Sequence, residues 1–198
     1  HEIAARVWRI GSDLTAGVDV PTPGTQVGLA PEIACGRCAP CTSGRSNVCA
    51  NMRLFGTGVD GGLADGIVVP QEALACITPV AREIAPPHLA LAEPLSCCLR
   101  ATSRLPIEAG SRVLVLGTGP IGLIHCTLAI SVGARVMACG RQSRLEPART
   151  MGAELTTAAQ GEDLVREVLA WSDGLGADVV IIAVGDPGLV PIAARCAR

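Results

Sequence analysis

The sequence predicts an α/β chain in two parts: an irregular, β-rich part with a four-cysteine lobe, then half of a doubly wound parallel sheet. Three observations predict it. Cys35, Cys38, Cys41 and Cys49 fall within fifteen residues. A glycine-rich turn, Gly117-Thr118-Gly119-Pro120-Ile121-Gly122, separates a β-branched apolar run from a helix-compatible stretch. Beyond about residue 106, short apolar runs alternate with helical patterns.

Composition narrows the function classes. The 198 residues are 49% hydrophobic and 17% charged, with a net charge of −2. That balance excludes a disordered tail, a collagen-like repeat and a strongly basic nucleic-acid binder. All 16 basic residues other than histidine are Arg, so a Schiff-base lysine and a P-loop lysine are both excluded from this chain. There is no Tyr, and the aromatics are Trp8, Phe55 and Trp171, so the core must be aliphatic.

Taken in order, the runs Ile3 to Ile10 and Gln26 to Ala30, split by Pro21, Pro23 and Gly24, read as short strands and turns. The cysteine lobe follows, then a strand over Ile67 to Val69 among glycines. From about 88 the pattern turns helical, with Leu89, Leu91 and Leu95 leading into Cys97 to Leu105. Gly110 marks a turn. Strands are predicted over Arg112 to Leu116, Arg135 to Cys139, Glu154 to Thr157 and Asp178 to Val184, the last apolar enough to be buried on both faces. Helices are predicted from the glycine turn to Val132, over Ser143 to Met151 and over Glu162 to Trp171. Val113 to Cys139 is largely apolar, but Gly117, Gly119 and Pro120 interrupt it, so no membrane span is expected.

The four clustered cysteines have the spacing to wrap one tetrahedral Zn²⁺, with Gly36 and Pro40 supplying the turns. Two local disulfides are the alternative, and a chain without a secretory signal argues against them. Four thiolates fill the zinc shell, so such a site is structural and not catalytic. Cys76, Cys97, Cys98, Cys126, Cys139 and Cys196 read as small core residues in a reducing cytoplasmic setting.

The glycine turn lies between a predicted strand and a predicted helix, the context a dinucleotide site requires. Gly117 permits the tight turn, Gly119 lets backbone approach a pyrophosphate, and Gly122 lets helix and strand pack closely. Pro120 and Ile121 open the helix, whose N-terminus offers N–H groups to phosphate. Val184, closing the last predicted strand, belongs to the same site. About twenty residues past the motif, where an acid would bind a free ribose 2′-hydroxyl, stand Cys139, Gly140 and Arg141. Gly140 leaves room there, and Arg141, helped by Arg144, can pair with a 2′-phosphate, favouring NADP over NAD.

At these residues the chain resembles the zinc-containing medium-chain dehydrogenases, which include alcohol, sorbitol and threonine dehydrogenases. The features that carry the resemblance are His1-Glu2 followed by Gly11, the cysteine lobe, Ala92-Glu93-Pro94-Leu95, the glycine turn and Gly176-Ala177-Asp178-Val179-Val180. It implies a partial GroES-like catalytic domain over 1–105 and a partial Rossmann domain over 106–198. It implies a catalytic zinc between them, held by His1, Glu2 and Glu93 together with an upstream Cys. It implies hydride transfer between a secondary alcohol and NAD(P), a small-molecule substrate and a homo-oligomeric parent. Chain ends that cut into both domains lead to the expectation of a central fragment, inactive alone. The alternative is a zinc-stabilised dinucleotide-binding module without catalysis. Neither membrane nor nucleic-acid partners are expected.

Overall fold

The first alternating run forms only four residues of strand, β1 (Ile3–Arg6), which pairs antiparallel with β2 (Gln26–Leu29) in the register Ile3 to Leu29. The computed structural model describes residues 1–12, 14, 19–81 and 83–198. These fall into two units, His1–Pro94 and Leu95–Arg198.

In the first unit, β2 also pairs antiparallel with β6 (Ile77–Pro79), giving the order β1-β2-β6. A second small sheet is built from β3 (Glu32–Ile33), β4 (Arg53–Phe55) and β5 (Gly58–Val59). Between β3 and β4 lies α1 (Ala39–Thr42), a single turn within the cysteine lobe. Ile3, Leu29, Ile33, Phe55, Ala73 and Cys76 form the core of this unit. Ile67 and Val69 pack against that core, but the expected strand there does not form. Their burial supplies the apolar signal, while the segment pairs with no neighbouring strand among the described residues. The unit closes with α2 (Pro86–Ala90) and the first residues of α3 (Ala92–Thr102).

Gln26 is buried in β2, and its amide serves as a piece of strand edge. Its Nε2 donates to the Ile84 carbonyl at 2.6 Å, and its Oε1 accepts the Ile84 N–H at 2.9 Å. A buried amide left without such partners would cost about 1–3 kcal/mol.

The second unit is a four-stranded parallel sheet with the order β10-β7-β8-β9. The strands are β7 (Arg112–Leu116), β8 (Arg135–Cys139), β9 (Leu155–Thr157) and β10 (Val179–Ile182). The helices are α4 (Pro120–Ser131), α5 (Glu146–Thr150), α6 (Gly161–Trp171) and α7 (Leu189–Cys196). Alternate residues of β7 and β8 feed two cores, as a strand's two-residue period requires. Val113, Val115, Val136 and Ala138 pack with Cys126 and Ala129 of α4. Leu114, Leu116 and Met137 pack with Leu164 and Val168 of α6 and with Ala193 and Cys196 of α7. Each fully buried aliphatic side chain contributes roughly 1.5–3 kcal/mol.

Two details differ from expectation. The strand expected over Asp178 to Val184 stands at the sheet edge, as its apolar run past the first half-sheet implies, but it is shorter, Val179–Ile182, and only Val179 is buried in it, because an edge strand is covered on one side only. The helix expected over Ser143 to Met151 splits into a 3₁₀ turn at Gln142–Arg144 and α5. Pro147, in the first turn of α5, has no N–H to continue a helix arriving from upstream. The second compact unit takes in most of α3, whose Cys98 and Thr102 bond to residues of α4. No helix among the described residues is long and apolar enough to cross a membrane.

Candidate functional site

The cysteine lobe brings four sulfurs to one point. Gly36 turns with a φ of +70°, and Cys38 caps α1 so that Cys41 returns one turn later. The 3₁₀ turn Ser46–Val48 then delivers Cys49. The four Sγ atoms lie within 4.8 Å of one another. Cys38 Sγ is 3.4 Å from Cys41 Sγ and 3.8 Å from Cys49 Sγ. A tetrahedral zinc with bonds of about 2.3 Å needs sulfurs about 3.8 Å apart. All four thiols are free, at separations far beyond a disulfide bond.

The surrounding donors are arranged for thiolates. The N–H groups of Cys35 and Asn51 each donate to Cys49 Sγ at 3.3 Å, and Asn51 Nδ2 reaches Cys35 Sγ at 3.7 Å. Backbone N–H groups of Arg37 and Cys38 pull the Cys35 thiol down to about 6, with Asn51 adding to the effect. Cys41 is pushed up to about 12, by loss of solvent and by the crowding sulfurs, Cys38 first. A divalent cation would remove that penalty, because a coordinating thiol is deprotonated outright. The donor set therefore fits zinc.

The second cluster is His1, Glu2 and Glu93, whose ligand atoms also lie within 4.8 Å of one another. His1 and Glu2 precede β1, and Glu93 sits in the first turn of α3. His1 Nε2 is 3.8 Å from Glu93 Oε2, and the Glu93 side chain is the more sheltered, at 17% exposure against 55%. His1 and Glu93 border a pocket of about 210 Å³ walled by Pro31, Leu54 and Phe55, with Glu32 and Thr57 supplying polar groups. One imidazole and two carboxylates form a donor set that zinc accepts, and three protein ligands leave a position open. Sequence reasoning did not identify the pocket walls, because β3 and β4 are too short to show a period.

The glycine turn connects β7 to α4. Gly117 has a φ of +113°, and a Cβ there would meet Ala183 O at 3.0 Å and Val184 Cβ at 3.4 Å, which places Val184 beside the turn. A Cβ on Gly122 would stand 1.8 Å from Gly117 O, so helix and turn meet with no space for a side chain. Nothing lies within 4 Å of a Cβ built on Gly119, the N-cap of α4. Pro120 occupies the first turn of that helix, and Ile121 is 41% exposed beside it. No side chain caps the helix N-terminus. Its N–H groups are thus available to an anion.

The space expected at Gly140 is already filled. The side chain of Thr118 covers it, and a Cβ on Gly140 would come within 2.1 Å of Thr118 Oγ1. Thr118 is 5% exposed, and its Oγ1 has no hydrogen-bond partner. A buried hydroxyl in that state costs about 1–3 kcal/mol and calls for a reason. An orphaned polar atom beside an open N-terminus and a tight glycine turn fits a site shaped for a dinucleotide. Arg141 and Arg144 are exposed at the 3₁₀ turn after β8, with no acidic partner among the described residues.

Of the scattered cysteines, Cys76, Cys98, Cys126 and Cys196 are buried and Cys139 is half-buried. Burial pushes Cys126 and Cys139 up to about 11. Cys97 is exposed on α3 and is not a core residue.

Two family models match. Residues 1–79 match the alcohol dehydrogenase GroES-like domain, and residues 120–198 match zinc-binding dehydrogenase. An uncharacterised zinc-type alcohol dehydrogenase-like protein of Haemophilus influenzae is 33% identical over 186 residues, covering 93% of this chain and 53% of that protein. The L-threonine 3-dehydrogenase of Pyrococcus horikoshii is 34% identical over 189 residues, covering 94% and 52%. The chain thus spans about half the length of the curated relatives it matches. Among solved structures, one described as a zinc-binding dehydrogenase of Sinorhizobium meliloti bound to NADP matches with a TM-score of 0.86 at 34% identity, covering 100% of this chain and 57% of that one. An alcohol dehydrogenase from Escherichia coli complexed with NADH matches with a TM-score of 0.83 at 26% identity, covering 100% and 57%.

Proposed function

We propose a function from one premise: the chain belongs to the zinc-type alcohol dehydrogenase family. The protein interconverts a secondary alcohol or polyol and the corresponding ketone, with NAD(P) as the hydride partner and two zinc ions per chain. The observation that carries this reading is the second ligand cluster. Cys35, Cys38, Cys41 and Cys49 make a closed set, whereas His1, Glu2 and Glu93 make an open one beside a pocket.

A zinc held at the open set would supply Lewis acidity that lowers the pKa of an alcohol, and a bound nicotinamide would supply the hydride acceptor. This chain's residues do the rest. His1 Nε2 and the carboxylates of Glu2 and Glu93 would hold that metal, and the half-sheltered Glu93 leans on α3 for its position. Phe55, fully buried at the pocket wall, excludes water from one side, and Thr57 offers a hydroxyl to a polyol. The closed cysteine set holds the lobe and takes no part in the chemistry. The turn Gly117 to Gly122 receives the pyrophosphate at the start of α4. Arg141 and Arg144 pair with a 2′-phosphate, which favours NADP over NAD. A reducing, cytoplasmic setting suits ten cysteines of which none forms a disulfide among the described residues, and a homo-oligomer suits the family.

Zinc counting by plasma mass spectrometry tests the reading. In a protein that also carries the upstream Cys the resemblance implies, two zinc ions per chain are expected, one lost in Cys38→Ser and the other in Glu93→Ala. A single zinc, lost only with Cys38, would replace the dehydrogenase with a zinc-stabilised dinucleotide-binding module.

A further inference from the structure

Gly140 carries no side chain, and one could enter only if Thr118 gave way. A Cβ there would stand 2.1 Å from Thr118 Oγ1, 2.9 Å from its Cγ2 and 3.0 Å from its Cβ. Neither backbone is free to retreat. The Gly140 N–H donates to Thr157 O at 2.9 Å, tying residue 140 to β9. The Gly117 N–H donates to Cys139 O at 2.8 Å, tying the turn that carries Thr118 to the end of β8. Thr118 is buried where it stands over Gly140, at 5% exposure, and its Oγ1 has no hydrogen-bond partner there.

The end of the second strand, about twenty residues past the glycine turn, is where a dinucleotide fold places the acid that pairs with a free ribose 2′-hydroxyl. Here that position faces the side chain of Thr118, and the next charged groups along the chain are the exposed Arg141 and Arg144. We propose that Thr118 is a specificity-determining residue of the nucleotide site: by standing over Gly140 it keeps any side chain, and so any carboxylate, off the end of β8. The 2′ position of the ribose is then read by guanidinium alone. This rests on the reading of the turn as a dinucleotide site and extends it. The selection is negative as well as positive, since the site blocks the acid that a free 2′-hydroxyl would need.

The test is dinucleotide binding by calorimetric titration, with melting temperatures read in parallel and without turnover. The unmodified chain should bind NADP⁺ about tenfold or more tighter than NAD⁺. Gly140→Asp alone should lower the melting temperature, from the overlap with Thr118, and gain no affinity for NAD⁺. The double variant Thr118→Gly/Gly140→Asp should recover the melting temperature of Thr118→Gly and bind NAD⁺ about tenfold tighter than Gly140→Asp does. Thr118→Ala/Gly140→Asp, which keeps the 3.0 Å contact, should fall between them. Arg141→Ala should lose NADP⁺ affinity without gaining NAD⁺. The proposal is overturned if NADP⁺ is preferred yet Gly140→Asp alone keeps its melting temperature and binds NAD⁺ as well as the double variant. Failure of the unmodified chain to bind either dinucleotide overturns the reading of the turn itself, a separate result. A preference for NAD⁺ overturns the 2′-phosphate reading and the proposal with it.

Discussion

Between Cys35 and Cys49 the chain buries one side chain, that of Cys49, while β7 buries four in succession, Val113 to Leu116. Both segments are positioned to within ångströms, by different forces. The lobe has no apolar core, so four sulfurs gathered within 4.8 Å must stand in for one. The sheet has two cores and needs no ligand to hold it. A small segment that cannot bury enough surface is fixed by coordination, and a larger one by packing. The lobe should therefore fail on loss of metal and the sheet on loss of fit.

Metal removal gives the largest effect. Structural zinc contributes roughly 10–16 kcal/mol in apparent terms to small isolated domains. Chelation, or Cys38→Ser, should strip amide-exchange protection from residues 35–51 and leave residues 112–139 protected. Equal loss in both segments would show that the two do not hold themselves independently. The mirror experiment is Gly122→Ala, whose methyl would stand 1.8 Å from Gly117 O. Overpacking at so rigid a contact should destabilise the second unit by about 3 kcal/mol or more in urea. Zinc content should not change.

The same contrast decides how much was legible in the sequence. The cysteine lobe was readable because ligand spacing is written along the chain, and Gly36 and Pro40 mark its turns. β7 and β8 were readable to the residue, because a strand buried on both faces leaves an unbroken apolar run. β3, β4 and β5, of two or three residues each, were not, since two residues cannot display a period. Ile67 and Val69 show the converse: apolar residues that reach the core without joining a ladder. His1 and Glu93 are 92 positions apart, so only the family resemblance brought them together before the structure did. Thr118 left no signal at all. Its consequence lies in a contact with Gly140, and a glycine in a sequence does not say what stands over it.

A third variant asks whether the first unit also depends on fit outside its lobe. Gln26→Ala removes both hydrogen bonds to the Ile84 backbone and leaves a gap in a buried position. A loss of about 1–3 kcal/mol is expected in urea, with the zinc count unchanged. A loss of zinc in this variant would mean that the lobe leans on the β1-β2-β6 sheet, and the division drawn between coordination and packing would have to be redrawn.

The smallest expected effect is a pH dependence inside the sheet unit. His125 of α4 is 6% exposed, and its Nδ1 shares a hydrogen bond with Thr102 Oγ1 at 3.0 Å. Burial pushes its pKa below the ordinary 6.5. The unfolded chain therefore takes up a proton at higher pH than the folded chain does. Stability is full above 6.5 and is lost as pH falls through that value toward the lowered folded one. The carboxylates of Glu154, held down chiefly by Arg135, and of Asp178, held down chiefly by the Arg112 N–H, act at lower pH, below their ordinary values of 4.5 and 3.8. Urea midpoints from pH 8 to pH 5 should then decline in the parent chain and stay flatter in His125→Leu. An equal decline in both would assign the acid sensitivity elsewhere. If the decline instead tracked loss of zinc from the cysteine lobe, acid would be acting through coordination and not through the buried imidazole, and the sheet would lose its claim to independence from the metal.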